Sequence, residues 1–347
     1  MRIAPPRHRP GSPAVAALLA AFAAACSGPT VFLRRPASAV VWPPVPEPPR
    51  IELVLAYHGS DDVERHPGFW AKLGEWLAGA ADHALASPGS LALDAADRLW
   101  VADAGQSAVH RIDLATGEHA VFKGSDAEPM VTPVGIAPAP DGRVFVSDST
   151  RSRILVLDDA GEIVHAFGDP EHLGRPTGIA WDAPHQRLLV LDTVGCRVLA
   201  LDAEGNLLQA AGARGTALGE YNFPTHVALA ADGRVLVTDS MNFRVQVLGP
   251  DLVARSQFGS VGRGPGTFAA PKGIALDSEG HVYVADSMFD NVQVFADDGQ
   301  LLLAFGQHGS GLGDLALPRG LWIDGQDRIF VCDGGNARVQ IYRYLRR

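Results

Sequence analysis

Six aspartates recur in one setting: Asp103, Asp148, Asp192, Asp239, Asp286 and Asp333, spaced 45, 44, 47, 47 and 47 residues apart. Each closes an apolar run and opens a short polar turn, as in "HVYVADSMFDNVQVF" from His281 to Phe295. A carboxylate beside a cavity can act as a general acid or base, or ligate a hard cation. The same side chain can instead hold a turn, accepting hydrogen bonds from backbone N–H groups two residues on. A reactive site needs unlike groups brought to one point, and six copies of one group along the chain do not supply that. Four of the six are followed five residues later by Arg153, Arg197, Arg244 or Arg338. Ala108 and Asn291 take that place in the first and fifth. The six aspartates are therefore read as structural. Gly262, Gly264 and Gly266 do not make a phosphate loop, because no Gly-Lys-Ser/Thr follows and no strand–loop–helix surrounds them. Spacing picks out no Ser-His-Asp or Cys-His set, so no catalytic residue, metal or cofactor is assigned.

The elements that position these residues are themselves a repeat. Prolines open six segments, at Pro88, Pro133, Pro176, Pro224, Pro271 and Pro318, spaced 45, 43, 48, 47 and 47. Each segment holds short runs rich in Val, Ile, Phe and Tyr, with turn pairs such as Asp141-Gly142, Asp232-Gly233 and Glu279-Gly280 at one phase. Four antiparallel strands per unit at this period describe a propeller blade, so the fold class is all-β, a six-bladed β-propeller. The sixth unit ends at Arg347 without a fourth strand. "RIELVLAYHG" from Arg50 to Gly59 resembles the fourth strands "IVHAFG" and "LLLAFG". The strand 50–58 is expected to pair beside Arg338–Tyr344 and close the ring, since an open edge would be a pairing template. Between it and the first blade, Phe69, Trp70, Leu73, Trp76, Leu77, Ala80, Ala81 and Ala84 recur at helical spacing. This predicts a helix over 67–86 packed on the propeller, or turned toward a membrane or partner.

The chain has 347 residues, 47% hydrophobic and 20% charged, with a formal net charge of −10. That size supports a large core. An acidic chain has no general attraction to nucleic acid or to an anionic membrane surface. Residues 1–25 combine Arg2, Arg7 and Arg9 with an apolar run from Pro13 to Ala25, which is too short to span a bilayer. These are the marks of a signal peptide. "AAAC" resembles the lipobox of bacterial lipoproteins and makes Cys26 the lipidation site. Residues 26–49 contain seven prolines and read as a tether. The propeller domain then runs from 50 to 347. Cys196 and Cys332 occupy different phases of different repeats, so no disulfide is expected between them.

The runs "VADSMFDNVQVF", "VTDSMNFRVQVL" and "VCDGGNARVQIY", with the connectors "GARGTALGEYNFP", "GSVGRGPGTFAAP" and "GQHGSGLGDLALP", resemble NHL repeats. The resemblance covers Pro88 to the C-terminus and implies the propeller fold. It leaves function open, because NHL-like propellers include RNA-binding modules, extracellular sensors, protein scaffolds and a group of enzymes. Those enzymes, the peptidyl-α-hydroxyglycine amidating lyases, hold zinc through histidines that directly follow the opening proline. Here those places are Gly89, Val134, Thr177, Thr225, Lys272 and Arg319, with His226 alone one step further on. One histidine does not make a zinc site. The same positions nevertheless mark one mouth of the central channel. His226, Lys272, Arg319 and Thr177 are its candidate binding residues, suited to a carboxylate, a phosphate or an acidic segment. The expected function is an exported, lipid-anchored scaffold or sensor module in the cell envelope. Its expected partner is a protein, peptide or small ligand and not nucleic acid, with membrane contact only through the anchor. The alternative class is an enzyme of the six-bladed type, a lyase or lactone hydrolase working at the channel mouth.

Overall fold

A computed structural model describes residues 31–33, 36–44, 46–59, 62–65 and 83–346. Signal segment 1–25 and Cys26 lie outside them, as does most of the segment read as a helix. Within that segment, His83–Ala86 are described and irregular.

Six antiparallel sheets form the ring. Blade 4 shows the plan: Pro224–Leu229 lines the channel, then Val235–Asp239, Arg244–Leu248 and Ala254–Phe258 follow outward. The second strand is buried throughout, while the outermost is exposed along its middle three residues. A strand covered on both faces by neighbouring blades reads as a continuous apolar run, and a strand at the rim does not. Six hydrophobic clusters fill the seams between adjacent blades. Between blades 4 and 5, for example, Leu236, Val245 and Val247 meet Ile274, Val282 and Val284.

Ile51–Tyr57 pairs antiparallel with Arg338–Tyr344 and completes blade 6 with a strand from the other end of the chain. Ile51, Leu53, Leu55 and Tyr57 bury their side chains there. The proline-rich stretch read above as a tether carries two short strands of its own. Val31–Leu33 pairs with Val63–Arg65, and Val41–Trp42 adds a fifth strand to blade 6. Trp42 lies against Phe305 and Tyr342, at ring distances of 5.9 and 5.8 Å. Prolines flank this segment without entering the paired residues, so it can form ladder hydrogen bonds.

The glycine-rich connectors are built alike. Tyr221, Phe268 and Leu315 are the buried anchors of three of them. Each anchor packs where Gly212, Gly259 and Gly306 have positive φ, and a Cβ at any of those glycines would collide with it. Only glycine meets both demands. Cys196 and Cys332 are free thiols, both buried.

Candidate functional site

The repeat aspartates are buried and reach further than a turn. Asp286 accepts hydrogen bonds from the N–H groups of Met288 and Phe289 in the following turn, at 3.0 and 3.2 Å. It also accepts from Ala269 and Ala270, at 2.7 and 3.0 Å, in the connector that leads into its own blade. Asp148, Asp192 and Asp103 likewise accept from two upstream N–H groups, and Asp239 and Asp333 from one each. All four expected arginines pair with their aspartates: Arg153 at 3.4 Å, Arg197 at 3.1, Arg244 at 2.8 and Arg338 at 2.7. Burial works to raise the Asp192 pKa, but hydrogen bonds from Gly195, Arg175 and Gly174 and from Arg197 outweigh it and hold the pKa below its ordinary value. These carboxylates are fully committed to the scaffold.

Two further repeat signals escaped the sequence reading. Gln246, Gln293 and Gln340, seven residues after their aspartates, accept from the connector glycines Gly219, Gly266 and Gly313. The hydroxyl directly after the aspartate donates to the carbonyl of the next blade's opening proline: Thr193 to Pro224, Ser240 to Pro271 and Ser287 to Pro318, at 2.7, 2.6 and 2.6 Å. The recurring "DS" pair was the available signal.

Neighbouring inner strands approach closely two residues after the opening prolines. Gly135, Gly178, Gly273 and Gly320 stand there, and a Cβ on any of them would meet the backbone of the neighbouring inner strand. His226 and Ser90 are the two departures. The His226 imidazole lies against the backbone of Gly89, in the blade opposite, and its Nδ1 is buried without a partner. Burial, first, and then the charges of Lys272 and Arg319 push its pKa down to about 3, so the ring is neutral at physiological pH. Beyond it the channel holds a cavity of ≈ 230 Å³, lined by Ile136, Ile179, Val227, Ile274, Leu321 and Trp181 among others.

Lys272 and Arg319 lie on the connector side of His226. The Lys272 pKa is lowered by burial, and further by Arg319 and Arg175, against one opposing carboxylate, Asp286. Arg319 donates to Ser87 Oγ at 3.1 Å. The structure thus brings His226, Lys272 and Arg319 together and adds Arg175, whose signal in the sequence is a charge directly before an opening proline. Thr177 does not join them. It is buried and shares a 2.7 Å hydrogen bond with Thr193, which holds blade 3 to blade 4. At the same end of the ring, Met241, Met288, Phe223, Leu317, Val194 and Leu218 are exposed.

A second polar cluster lies in blade 1. His110 Nδ1 is 2.8 Å from His119 Nε2, and His119 Nδ1 is 2.9 Å from the Tyr57 hydroxyl. His110 Nε2 stands 3.7 Å from Asp103. Burial, chiefly, pushes the His110 pKa down to about 4. Among the described residues, no group of three or more His, Cys, Asp or Glu side chains is placed to hold a metal.

Residues 221–248 match the NHL repeat. They span the blade 4 connector through its third strand, so the repeat type is shown where the sequence is most regular. No curated protein matches the chain. Solved structures share the fold. Virginiamycin B lyase from Staphylococcus aureus is 14% identical, with 75% of this chain and 95% of that one covered and a TM-score of 0.54. An auxiliary nutrient binding protein from Bacteroides thetaiotaomicron is 12% identical, with 75% and 69% covered and a TM-score of 0.58. A chain of a nidogen/laminin complex is 17% identical, with 79% and 97% covered and a TM-score of 0.56. At these identities the likeness is one of architecture.

Proposed function

We propose that this NHL-type propeller is a binding module whose working surface is the connector end of the ring, around the channel mouth. One observation carries the reading. The cations Lys272, Arg319 and Arg175 gather at that end, which also exposes Met241, Met288, Phe223 and Leu317. A charged centre within an exposed apolar surround is the composition of a recognition surface. The repeat aspartates at that end are tied to backbone and arginine. The structural neighbours include both a lyase and a nutrient-binding protein, and the fold is compatible with either class.

The N-terminal sequence supports export and a lipid anchor at Cys26, which would hold the module in the cell envelope. Two experiments test the reading. A photo-crosslinking residue at Met288 in intact cells should give discrete adducts, lost with Lys272→Glu, while the same residue at Asp298, at the opposite end, gives none. Equal adducts from both ends would dismiss the connector end as the working surface. Cys26→Ala should abolish incorporation of labelled acyl chains, and retained label would refute the anchor.

A further inference from the structure

We propose that the channel mouth binds an oxyanion, the carboxylate or phosphate group of a larger ligand, held by Lys272, Arg319 and Arg175 above His226. This rests on the binding-module reading and supplies the ligand chemistry for it.

Among the described residues, the Lys272 ammonium has no hydrogen-bond or ion-pair partner, although the side chain is part-buried. The strands that carry Lys272 and Arg319 touch at this level, since a Cβ on Gly273 would meet the Arg319 carbonyl oxygen, and the other charged neighbours of Lys272 are Arg175 and Asp286. The Asp286 oxygens already accept from the N–H groups of Ala269, Ala270, Met288 and Phe289. Among the described residues, the Arg319 side chain has one acceptor, the neutral Ser87 hydroxyl. Three cations, Lys272, Arg319 and Arg175, are therefore gathered in a partly desolvated place against a single carboxylate, Asp286. Such an arrangement costs free energy unless an anion completes it. The donor types suit that role: arginine offers a planar fork for two oxygens of one group, and lysine adds a point charge.

His226 sets the depth of the site. Its ring crosses to the backbone of Gly89 and stands between the mouth and the cavity beyond. The unpartnered Nδ1 is one more polar atom at this floor. An anionic group entering from the connector end stops there, so the rest of the ligand lies outward over Met241, Met288 and Leu317 rather than down the channel.

The test uses the full chain with two probes, trifluoroacetate followed by ¹⁹F NMR and inorganic phosphate followed by ³¹P NMR. At least one probe should broaden with the wild-type protein at millimolar concentration. Lys272→Met should weaken that binding by about tenfold or more, as loss of a charge-assisted contact does, while Lys272→Arg keeps it. Arg263→Met, on a connector but outside the cluster, should leave it unchanged. Trifluoroacetate alone, phosphate alone, or both would each support the site and say which headgroup it takes. The inference is overturned if neither probe broadens, or if a folded Lys272→Met protein binds as the wild type does. Should that happen while the Met288 adducts persist, the binding module stands and its anion chemistry falls.

Discussion

The seams inside the ring and the seam where blade 6 meets blade 1 join the same kinds of surface by different means. Between blades 3 and 4, 4 and 5, and 5 and 6, the hydroxyl after the aspartate donates to the next opening proline. At the closing seam that place holds Gly334, and between blades 1 and 2 it holds Ala104, neither with a hydroxyl to give. Closure falls instead to residues outside the repeat. Arg319 reaches Ser87, Arg328 pairs with Asp97, and Tyr57 of the closing strand meets His119 of blade 1. A residue that breaks the repeat therefore has two possible causes, closure or use. His110 and His119 are explained by the first. Lys272 and His226 stand in blades 5 and 4, whose seams carry the regular stitch, so closure does not account for them. Arg319 serves both ends.

The largest expected effect comes from breaking closure. Deleting 51–57 strips the outer edge of Arg338–Tyr344 and removes Ile51, Leu53, Leu55 and Tyr57 from the seam clusters. Each buried side chain of this size contributes roughly 1.5–3 kcal/mol, so the sum is comparable to the 5–15 kcal/mol stability of a whole domain. No cooperative transition should remain in urea. An unchanged midpoint would show that the ring does not depend on this strand.

Next is the contrast between two aspartates. Asp239→Ala leaves the Arg244 guanidinium, with its side chain 7% exposed, facing no carboxylate. Breaking a buried pair in this way costs about 3–5 kcal/mol. Asp103 has no arginine five residues on and holds mainly backbone N–H groups. Asp103→Ala should cost less, about 1–3 kcal/mol. Equal losses in urea titrations would mean that arginine adds nothing to the bracket.

These two contrasts also show what the sequence made legible. Six blades, their phase, the closing strand and the Asp–Arg pairs were all written in the spacing of a few residue types. The upstream bonds of the aspartates were not, because a carboxylate that meets an N–H group 16 or 17 residues earlier leaves no local pattern. Two strands in the proline-rich stretch were hidden by composition, since Trp42 is held by Phe305 and Tyr342 from distant parts of the chain. At the mouth, counting from the opening prolines pointed to His226, Lys272, Arg319 and Thr177; the structure places the first three near one another and ties Thr177 to Thr193, because position in a repeat fixes the level on a strand and not whether neighbours have already taken the side chain.

The pH dependence bears on two buried histidines, His226 at the mouth and His110 in blade 1. His226 and His110 have folded pKa values pushed down to about 3 and about 4, below the unfolded value of about 6.5. Below that unfolded value the denatured chain takes up protons that the native protein refuses. Stability linked to these rings is thus complete above pH 6.5 and declines as pH falls, levelling off only below the folded values. Thermal melts from pH 7 to 4 should fall less steeply for His226→Gln and for His110→Gln than for the wild type. Parallel curves for wild type and variant would place that imidazole in a solvated setting.

The smallest expected effect is on a single interior stitch. Ser287→Ala removes one hydroxyl that donates to Pro318 O at 2.6 Å and leaves the surrounding clusters untouched. A hydrogen bond of this kind contributes about 1 kcal/mol net, or a little more where the carbonyl stays buried without a donor. In a protein of this size that corresponds to about 2–4 °C in Tm or less. Ser240→Ala, at the same place one blade earlier, should match it, because the two hydroxyls face equivalent carbonyls. The seam beyond Gly334 already works without such a bond, so closure by strand and ion pair can replace the stitch. If Ser287→Ala alone unfolded the protein, the interior seams would depend on that bond far more than the closing seam does, and the equivalence of the two solutions would be lost.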